Sequence, residues 1–411
     1  SGPRDVSVPC RSCGSEALQP ILSLGPTPLA NALLGADRLH APEPRYPLDL
    51  VFCPACSLVQ ITETVPPEVL FAEYPYFSSF SDTMVRSARE LAERLARERG
   101  LGPRSLVLEI ASNDGYLLQH YRPLGVPVLG IEPAANLARA AEGRGVPTRC
   151  AFFGRALAEG LAAEGLRADV LHANNVLAHV ADLNGVVEGI AVALKDDGLA
   201  AIEVPYVRDL IERCEFDTIY HEHLCYFSLT ALAALFARHA LAVADVERIP
   251  LHGGSLRLFV ARAGAEPSVR VKEMLVAEAA AGMLALSYYR DFAGRVEALR
   301  RQLVGLLRRL KAEGNRLAAY GASAKGSTLL NVFGIGADVL DFVVDRSTVK
   351  QGRYTPGTHL PILPPEALLE RRPEYVLLLT WNFAEEILAQ QAAYRAQGGR
   401  FIIPVPEPRL V

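Results

Sequence analysis

The residues SLVLEIASNDGYLL, at positions 105–118, indicate the fold class of the chain. The apolar run 106–110 is typical of a parallel strand that is buried on both faces. Turn chemistry follows at 112–115 (Ser-Asn-Asp-Gly), and the apolar spacing of 116–121 then predicts a helix. A strand, a small-residue turn and a helix form the first unit of a doubly wound α/β sheet. Ligands bind such sheets beyond the carboxyl ends of the strands, so we expect a ligand site at this turn.

A second predicted strand, 126–131, ends at Glu132 and Pro133. A carboxylate at this point can accept hydrogen bonds from both ribose hydroxyls of a nucleoside, as in dinucleotide sites. The glycine spacing is not G-x-G-x-x-G, so the dinucleotide fingerprint is absent. The stretch instead resembles the first motif of S-adenosylmethionine (SAM) methyltransferases, through Glu109, Ala111, Ser112 and Gly115. A βαβ unit with an incidental acid is the alternative interpretation.

The bulk composition is that of an ordinary folded protein. The 411 residues are 50% hydrophobic and 21% charged, with a net charge of −4. This length predicts two or three domains. There is no basic tract, so we do not expect nucleic acid as a partner. No apolar run approaches ~20 residues and no signal peptide is recognisable, so we expect no membrane partner and a cytoplasmic location.

Four of the seven cysteines form two C-x-x-C pairs, Cys10/Cys13 and Cys53/Cys56. Each pair places two thiolates on one tight turn, and two such turns complete a tetrahedral four-sulfur site that suits zinc. Four protein ligands leave no open position, so we predict one structural zinc ion. Residues 14–52 must then form a small fold of their own, which includes a strand at 48–52. Unrelated free cysteines or a redox pair are the alternatives.

An aromatic cluster and an amphipathic helix precede the first strand of the central sheet. Tyr74 and Tyr76 belong to the cluster, and the helix is predicted from about Ser81 to Arg99 because its apolar residues recur at helical spacing. Clustered aromatic residues pack together, but tyrosines at the mouth of a sheet can also bind a ligand. Both interpretations remain open for Tyr74 and Tyr76.

Further strands of the same sheet are predicted near 148–153, 168–176 and 199–205, with a turn at 195–198. Another strand follows the turn at 252–254. Asn174, Asn175 and His179 lie at and beyond the end of the fourth strand, a region that lines the methyl-donor pocket in SAM enzymes. A histidine there is either functional or a hydrogen-bonded core residue.

The segment Tyr220-His221-Glu222-His223 is the most unusual in the chain, because it sets four polar side chains in apolar surroundings. Burying such groups costs free energy unless they have a purpose. The histidines lack the i, i+4 spacing of a metalloprotease helix, which argues against a zinc hydrolase. The group suits proton transfer, since a histidine can take a proton near neutral pH and a carboxylate can orient it. A structural polar cluster is the alternative.

The last part of the chain predicts a second Rossmann-like sheet. Residues 268–313 are helical in pattern, as one long helix or a helix pair. A strand, a small-residue turn and a helix follow at 317–328, with further strands at 339–344 and 375–380. The turn amides, together with Lys325, could hold a phosphate, or the glycines could serve packing alone.

Taken together, these residues resemble the deoxysugar C-methyltransferases of antibiotic pathways, whose best-described members are 3-C-methyltransferases of dTDP-4-keto sugars. The likeness covers nearly the whole chain. It is carried by the double C-x-x-C, Gly25-x-x-Pro28-Leu29-Ala30-Asn31, 109–115, 174–180, 220–223 and Gly321-Ala322-x-Ala324-Lys325-Gly326. It implies a zinc-binding module at 1–68, a SAM-binding α/β domain at 69–265 and a Rossmann-like domain at 266–411. The sugar nucleotide would lie where the three meet.

The resemblance also implies roles for individual residues. His223 would be the general base, Tyr220 would bind near the keto oxygen, Glu222 and His179 would assist, and Tyr76 would close the sugar pocket. SAM would be bound by Glu109, Ala111, Ser112, Asn113, Asp114, Gly115, Glu132, Pro133, Asn174 and Asn175. The substrate would be bound by Tyr74, Tyr76, Ser323 and Lys325. Ala111 departs from the family pattern, since many SAM enzymes have glycine there.

The chemistry agrees with these roles. A carbon nucleophile requires removal of a proton next to a carbonyl, whose acidity is far below that of imidazolium, so the enolate oxygen needs preorganised stabilising groups. A SAM methyltransferase acting on a non-sugar acceptor, or on oxygen or nitrogen, is the second interpretation. A binding module for SAM or a nucleotide sugar is the third, but it would leave the Tyr-His-Glu-His segment without a task. A monomer is compatible with the sequence.

Overall fold

The structure is a computed structural model that describes residues 8–71 and 76–411. Its strands, numbered along the chain, are β1 (Gln19–Ser23), β2 (Asp49–Phe52), β3 (Val59–Ile61), β4 (Val107–Ile110), β5 (Val128–Ile131), β6 (Thr148–Arg149), β7 (Ala168–Asn174), β8 (Leu194–Pro205), β9 (Cys225–Tyr226), β10 (Leu241–Ile249), β11 (Ser255–Arg262), β12 (Leu317–Tyr320), β13 (Val343–Val344), β14 (Ile362–Leu363), β15 (Tyr375–Leu378), β16 (Arg400–Ile403) and β17 (Arg409–Leu410). Its α-helices are α1 (Pro67–Phe71), α2 (Asp82–Glu98), α3 (Ala135–Gly143), α4 (Arg155–Ala163), α5 (Leu183–Ala193), α6 (Val207–Glu212), α7 (Leu229–Ala237), α8 (Val269–Ala280), α9 (Phe292–Ala312), α10 (Ala324–Phe333), α11 (Ala367–Arg371), α12 (Ala384–Gln390) and α13 (Ala392–Ala396).

The central sheet has seven strands in the order β10-β11-β8-β7-β4-β5-β6. All neighbours pair in parallel except β11, which runs antiparallel to both β8 and β10. In register, Leu108 of β4 lies between Leu129 of β5 and Leu171 of β7. Every residue of β4 is buried, which explains why 106–110 is apolar at every position except Glu109. The predicted doubly wound α/β sheet is confirmed.

Two local predictions for this sheet were wrong. The expected helix at 116–121 is instead a pair of 3-10 helices, Leu118–His120 and Arg122–Leu124. Pro123 has no amide to donate and would clash with the preceding turn of an α-helix. The expected turn at 195–198 lies inside β8 as a bulge, because Ala168 pairs with Leu194 but Val170 already pairs with Leu199.

The helix that precedes the sheet agrees with its prediction. α2 begins after Ser81, whose hydroxyl accepts a hydrogen bond from the amide of Met84, as expected for an N-cap. The predicted apolar stripe is buried along its length, at Met84, Ala88, Leu91 and Leu95. The helix therefore covers one face of the central sheet through its apolar side.

Smaller sheets flank the central one. The N-terminal sheet is antiparallel in the order β1-β2-β3-β9, so its last strand comes from beyond β8. The C-terminal sheet has the order β14-β13-β12-β15-β16-β17 and is parallel except for β17. The helical segment before it is a pair, α8 and α9. Within the part of the chain that is described, no helix is long and apolar enough to cross a membrane.

The segment between β8 and β9 leaves the central sheet and contacts both the C-terminal and the N-terminal parts of the molecule. A 3-10 helix, Phe216–Thr218, packs on α10 through Phe216 and Phe333, whose stacked ring centroids are 4.5 Å apart. β9 then pairs with β3 of the N-terminal sheet. Residues 219–224, between these two contacts, therefore lie where the three parts of the molecule meet.

Candidate active site

A cavity of about 640 Å³ lies at the carboxyl ends of the central strands and is closed on the opposite side by the C-terminal sheet. Parallel sheets place ligand sites at this end. Most of the residues selected from the sequence line this cavity: Tyr76, Ala111, Asn113, Glu132, Pro133, Asn174, Asn175, His179, Tyr220, His223, Ser323 and Lys325.

Four residues expected to bind the cofactor do not line the cavity. Glu109 is fully buried, and burial together with the nearby acids raises the pKa of its carboxyl well above the usual range. Ser112 packs against Gly130, whose missing side chain leaves it room. Asp114 accepts a hydrogen bond from Ser79 and lies 2.9 Å from Arg144. Together with Gly115, these residues form the turn behind the cavity wall. Tyr74 lies outside the described residues.

The turn after β4 holds residues 76–78, which precede α2, over the cavity. Ala111 and Asn113 both have a φ of 52°, a conformation that side chains rarely adopt. The Asn113 side chain accepts from the amide of Ser78 at 3.0 Å and donates to the carbonyl of Tyr76 at 3.1 Å. The strained turn thus positions Tyr76 at the cavity.

Glu132 is the carboxylate expected at the end of β5, and it faces the cavity while 4% exposed. Its two oxygens accept from the amides of Asn113 and Ala134, each at 2.8 Å. Burial raises the pKa of Glu132 to about 7, although these two hydrogen bonds oppose the rise. Each oxygen retains a second lone pair that can accept from a ribose hydroxyl. Apolar side chains beside it suit a base: Ile131, Leu137, Phe152 and Phe153.

His223 is held as a neutral ring. Its Nδ1 lies 2.8 Å from the carbonyl of Thr218, which can only accept, so Nδ1 carries the proton. Nε2 is therefore unprotonated, and the Tyr220 hydroxyl donates to it at 2.9 Å. Burial is the main cause that lowers the pKa of His223 well below its usual value, and any positive charge on His179 or Lys325 would lower it further. The result is a basic nitrogen on the cavity surface.

The other members of the predicted group point in different directions. Nε2 of His221 donates to the carbonyls of Tyr46 and Pro47, at 3.2 and 3.0 Å, in the N-terminal module. It diverges from His223 because residues 221–223 form a turn and its exit, neither a strand nor a helix. Glu222 accepts from Asn31 at 2.8 Å and lines a separate cleft of about 400 Å³. The carbonyl of Thr218, and not a carboxylate, therefore bonds Nδ1 of His223.

His179 does lie beside His223. The two ring centroids are 4.7 Å apart in an edge-to-face arrangement. Burial lowers the pKa of His179 to about 4, and a hydrogen bond to the backbone of Glu222 opposes this change. His179 is accordingly a neutral neighbour of the basic ring.

The C-terminal wall of the cavity contains the turn before α10. The Ser323 hydroxyl accepts from the amide of Gly326 at 3.0 Å, as the N-cap of α10, and the Ala322 amide donates to Asp345 at 2.8 Å. These amides are thus already satisfied, which disfavours the predicted phosphate cradle. Lys325 lies over Trp381, with Nζ 4.4 Å from the ring centroid.

Several residues of the cavity were missed by sequence reasoning. His252 has a φ of 53°, and burial lowers the pKa of its ring to about 3. Its place before two glycines was the available signal. Asn31 stood in a motif of the family resemblance but was given no role. The others were not selected at all: Tyr116, Asp345, Arg346, Lys350 and Glu386.

The paired cysteines come together as predicted. Their four sulfur atoms all lie within 4.8 Å of one another. Sγ of Cys10 is 3.5 Å from Sγ of Cys56, and Sγ of Cys13 is 3.6 Å from Sγ of Cys53. These distances are too long for disulfides, at ~2.05 Å, and close to the ~3.8 Å edge of a tetrahedron with zinc–sulfur bonds of about 2.3 Å. The donor set therefore fits a closed structural zinc site.

Comparison with known proteins establishes the family. Models of a zinc binding domain, a methyltransferase domain and a C-methyltransferase C-terminal domain match residues 10–71, 83–246 and 250–406. The C-methyltransferase NovU of Streptomyces niveus is 40% identical over 404 residues, which cover 98% of this chain and 96% of NovU. This chain belongs to the C-methyltransferase family.

Among solved structures, a magnesium protoporphyrin IX methyltransferase (ChlM) from Synechocystis PCC 6803 with bound SAM shares 12% identity with this C-methyltransferase. The match covers 44% of this chain and 79% of that one, at a TM-score of 0.34. A SAM-dependent methyltransferase from Clostridium acetobutylicum ATCC 824 shares 11% identity over 44% of this chain and 92% of its own, at a TM-score of 0.35.

The C-methyltransferase therefore combines a SAM-dependent α/β domain with an N-terminal zinc-binding module. Glu132 and the apolar wall beside it fit an adenosyl group, since the carboxylate offers acceptors for ribose hydroxyls and the wall a surface for a base. The resemblance inferred from the sequence, the enzyme class and both cofactors are confirmed.

Proposed function

We propose that this C-methyltransferase deprotonates the carbon next to the ketone of a dTDP-linked 4-keto deoxysugar and transfers a methyl group to that carbon, in deoxysugar biosynthesis. The observation that carries the proposal is the neutral His223, whose basic Nε2 faces a cavity shared with the expected SAM site. A C-methyltransferase needs such a base, because an unactivated carbon next to a ketone is not a nucleophile.

The residues around His223 divide the work. Thr218 fixes the ring through Nδ1, so that Nε2 is the atom that takes the proton. Tyr220 occupies Nε2 with its hydroxyl when no substrate is bound. A substrate in the cavity would turn this hydroxyl from Nε2 to its oxygen, which becomes the stronger acceptor as it gains negative charge in the enolate, and Nε2 would be free for the substrate proton. His179 supports the His223 ring, Glu222 holds Asn31 at the cavity wall, and Tyr76 covers the sugar.

Glu132, Asn113, Asn174 and Asn175 would hold SAM. Buried side-chain oxygens of Asn174 and Asn175 have no hydrogen-bond partner among residues 8–71 and 76–411, and both residues line the cavity. Bound SAM supplies an electrophilic methyl group. The apolar surroundings of this part of the cavity exclude water from the enolate carbon until it reacts.

The nucleotide part of the substrate would lie against the C-terminal wall. Arg346, Ser347 and Lys350 line this side of the cavity, and cationic and hydroxyl groups suit a diphosphate. We also propose that the chain divides into three domains, at 1–68, 69–265 and 266–411. This division is supported by the three sheets, although β9 crosses it.

The test separates proton removal from methyl transfer. Wild-type protein in deuterium oxide, given dTDP-4-keto-6-deoxyglucose without SAM, should exchange the proton next to the ketone. His223→Asn should slow this exchange by roughly 10²–10⁴, the usual contribution of a general base. Its affinity for SAM in calorimetry should be unchanged. His221→Asn is the matched control, since that ring faces the N-terminal module, and it should cost far less.

Each part of the proposal has its own contrary result. Methyl transfer without any exchange would favour an oxygen or nitrogen acceptor. If His221→Asn were the more damaging variant, His221 would be the base. Binding of UDP- or GDP-linked keto sugars in preference to the dTDP form would change the nucleotide assignment.

A further inference from the structure

We propose that the Lys325 ammonium is the group that stabilises the enolate oxygen, and that Trp381 and Asp217 are the residues that position it. This inference rests on the proposed function and assigns a role in it that the His-Tyr group alone does not supply. A base as weak as imidazole can only remove a proton next to a ketone if the developing negative charge is met by a preorganised opposite charge.

The position of Lys325 is unusual for a lysine. The residue is 9% exposed and lines the cavity, and its Nζ has no hydrogen-bond partner in the described parts of the chain. A buried ammonium that lacks such partners is costly to desolvate. The fold maintains this cost at a point where a ligand oxygen can offset it by accepting a hydrogen bond from one of the three N–H groups.

Two successive contacts position the Lys325 ammonium, one with Trp381 and one between Trp381 and Asp217. Nζ lies 4.4 Å from the centroid of the Trp381 ring, a favourable cation–π distance. The indole Nε1 of Trp381 donates in turn to Asp217 at 2.7 Å, and Asp217 is fully buried. Burial lowers the pKa of Lys325, while the negative charges of Asp217 and Glu215 raise it again. Burial also raises the pKa of Glu215 to about 8 and that of Asp217 to about 6, so Asp217 is the acid that is charged at neutral pH and helps to keep Lys325 protonated.

The same short helix holds the base. Asp217 and Thr218 are neighbours in the 3-10 helix Phe216–Thr218, and the carbonyl of Thr218 fixes Nδ1 of His223. Tyr220 packs against Ala324, the residue before Lys325. One structural unit thus sets the base and the ammonium on the same cavity.

Three backbone amides of the turn before α10 already have acceptors. The Ala322 amide donates to Asp345, the Ser323 amide donates to the carbonyl of Gly321, and the Gly326 amide donates to Ser323. A phosphate placed there would find these donors already engaged. The ammonium of Lys325 is accordingly better matched to a single carbonyl oxygen than to a phosphate cradled by amides.

The proposed reaction needs no reactant beyond the keto sugar and SAM. Nε2 of His223 takes the proton from the carbon next to the ketone, and the carbon–hydrogen electron pair forms a carbon–carbon double bond. The carbonyl π pair moves to oxygen, whose negative charge meets the Lys325 ammonium. When the carbon acquires its methyl group, the double-bond pair forms the new carbon–carbon bond and the carbonyl is restored. The sulfur of SAM keeps the electron pair of the carbon–sulfur bond that breaks. His223 then releases its proton to water.

The test again uses deuterium exchange without SAM, with dTDP-4-keto-6-deoxyglucose as the probe. Lys325→Met should slow exchange by roughly 10²–10³, the loss seen when one oxyanion donor is removed. Its affinity for the probe should change less than about fivefold, and its affinity for SAM, which reports folding, not at all. Lys325→Arg keeps the charge and should recover most of the rate. Lys311→Met, on the surface of α9, is the control and should behave as wild type.

A positioning role for Asp217 predicts a change in the pH profile. Asp217→Asn removes a charge that raises the pKa of Lys325, so Lys325 should lose its proton at lower pH. The alkaline limb of the exchange profile should therefore move to lower pH, which a purely structural role would not produce.

Opposite results would be easy to recognise. If Lys325→Met exchanged normally but bound the probe tenfold or more weakly, Lys325 would be a substrate anchor and the inference would fail, while the proposed function stood. If Lys325→Met failed to fold, equal exchange by Lys325→Arg and Lys325→Gln would overturn it instead. Absence of exchange in the wild type would overturn the proposed function itself.

Discussion

At the scale of single residues, Glu132 shows how burial can tune a ligand group. The carboxylate is buried with two backbone amides, and burial raises its pKa to about 7. Its charge therefore changes within the ordinary working range of an enzyme. A charged oxygen is a stronger acceptor for ribose hydroxyls than a protonated one.

Two results follow for SAM binding. The affinity measured by calorimetry should rise as the pH increases through about 7, because Glu132 becomes ionised there. Glu132→Gln should weaken binding at pH 8 by at least an order of magnitude, since hydrogen bonds to charged groups contribute roughly 1.5–3 kcal/mol.

The control for this variant is Glu142→Gln, an exposed residue of α3, which should leave SAM affinity unchanged. An affinity that stayed the same in Glu132→Gln would show that the ribose lies elsewhere. A pH dependence that persisted in Glu132→Gln would assign the titration to another group.

The residue types at the site could be predicted from the sequence better than their directions. The sequence shows that Glu132 and Asn174 stand at the ends of buried strands, because strands and their ends have recognisable patterns. It does not show the divergence of His221 and His223, since that depends on a turn whose geometry is set by contacts with Tyr46, Pro47 and Thr218. His252 was missed for the same reason.

At the scale of elements, the turn after β4 is packed closely against the residues that follow α3. Gly115 has a φ of 77°, and a Cβ there would lie 3.0 Å from Cγ2 of Val146. Gly100, after α2, has a φ of 58° but has nothing within 4 Å of the same position among its described neighbours. The two glycines share a left-handed conformation and differ in the space around them.

Gly115→Ala should consequently destabilise the protein more than Gly100→Ala. Both variants incur a left-handed conformation, at about 1–2 kcal/mol for a residue other than glycine. Only Gly115→Ala adds overpacking, which costs typically 1–3 kcal/mol. Thermal unfolding of the two variants is the measurement, and equal midpoints would mean that Val146 moves aside freely.

The same element shows why boundaries were harder to predict than strands. Continuous apolar runs identified β4, β5, β7 and β15 because both faces of a parallel sheet are buried. The prediction of a helix at 116–121 was wrong because of a single residue, Pro123, which the apolar periodicity does not take into account. The bulge in β8 requires knowledge of the register with β7.

At the scale of the whole molecule, the zinc-binding module is attached to the central domain by hydrogen bonds. Asn184 of α5 donates to the carbonyls of Arg11 and Ser12, at 3.0 and 3.2 Å, and Arg238 also donates to Ser12. The first C-x-x-C turn is thereby attached to the central domain. Two of the three sheets were predicted from the sequence, and the N-terminal one only as a small fold with one strand. The contacts between the sheets depend on long-range pairs with no local pattern.

We predict about one zinc per chain after desalting, as expected for a closed site with four thiolates. Cys10→Ser should lose the metal and lower the thermal unfolding midpoint, because metal binding contributes folding free energy. Cys150→Ser, at an exposed cysteine outside the cluster, should retain both. Less than a tenth of an equivalent in folded, active protein would contradict the site.

The pairing of β3 with β9 has a consequence for how this enzyme would be classified at the bench. Val59 pairs with Tyr226 and Gln60 with Cys225, and the Ile61 amide donates to Leu224 at 3.0 Å, directly after His223. A chelator that removes zinc from the N-terminal module would therefore disturb His223 without contacting it. Inhibition by chelators would imitate that of a metalloenzyme, yet it should develop slowly, at the rate at which the module opens. Rapid readdition of zinc to an already collapsed module would restore little.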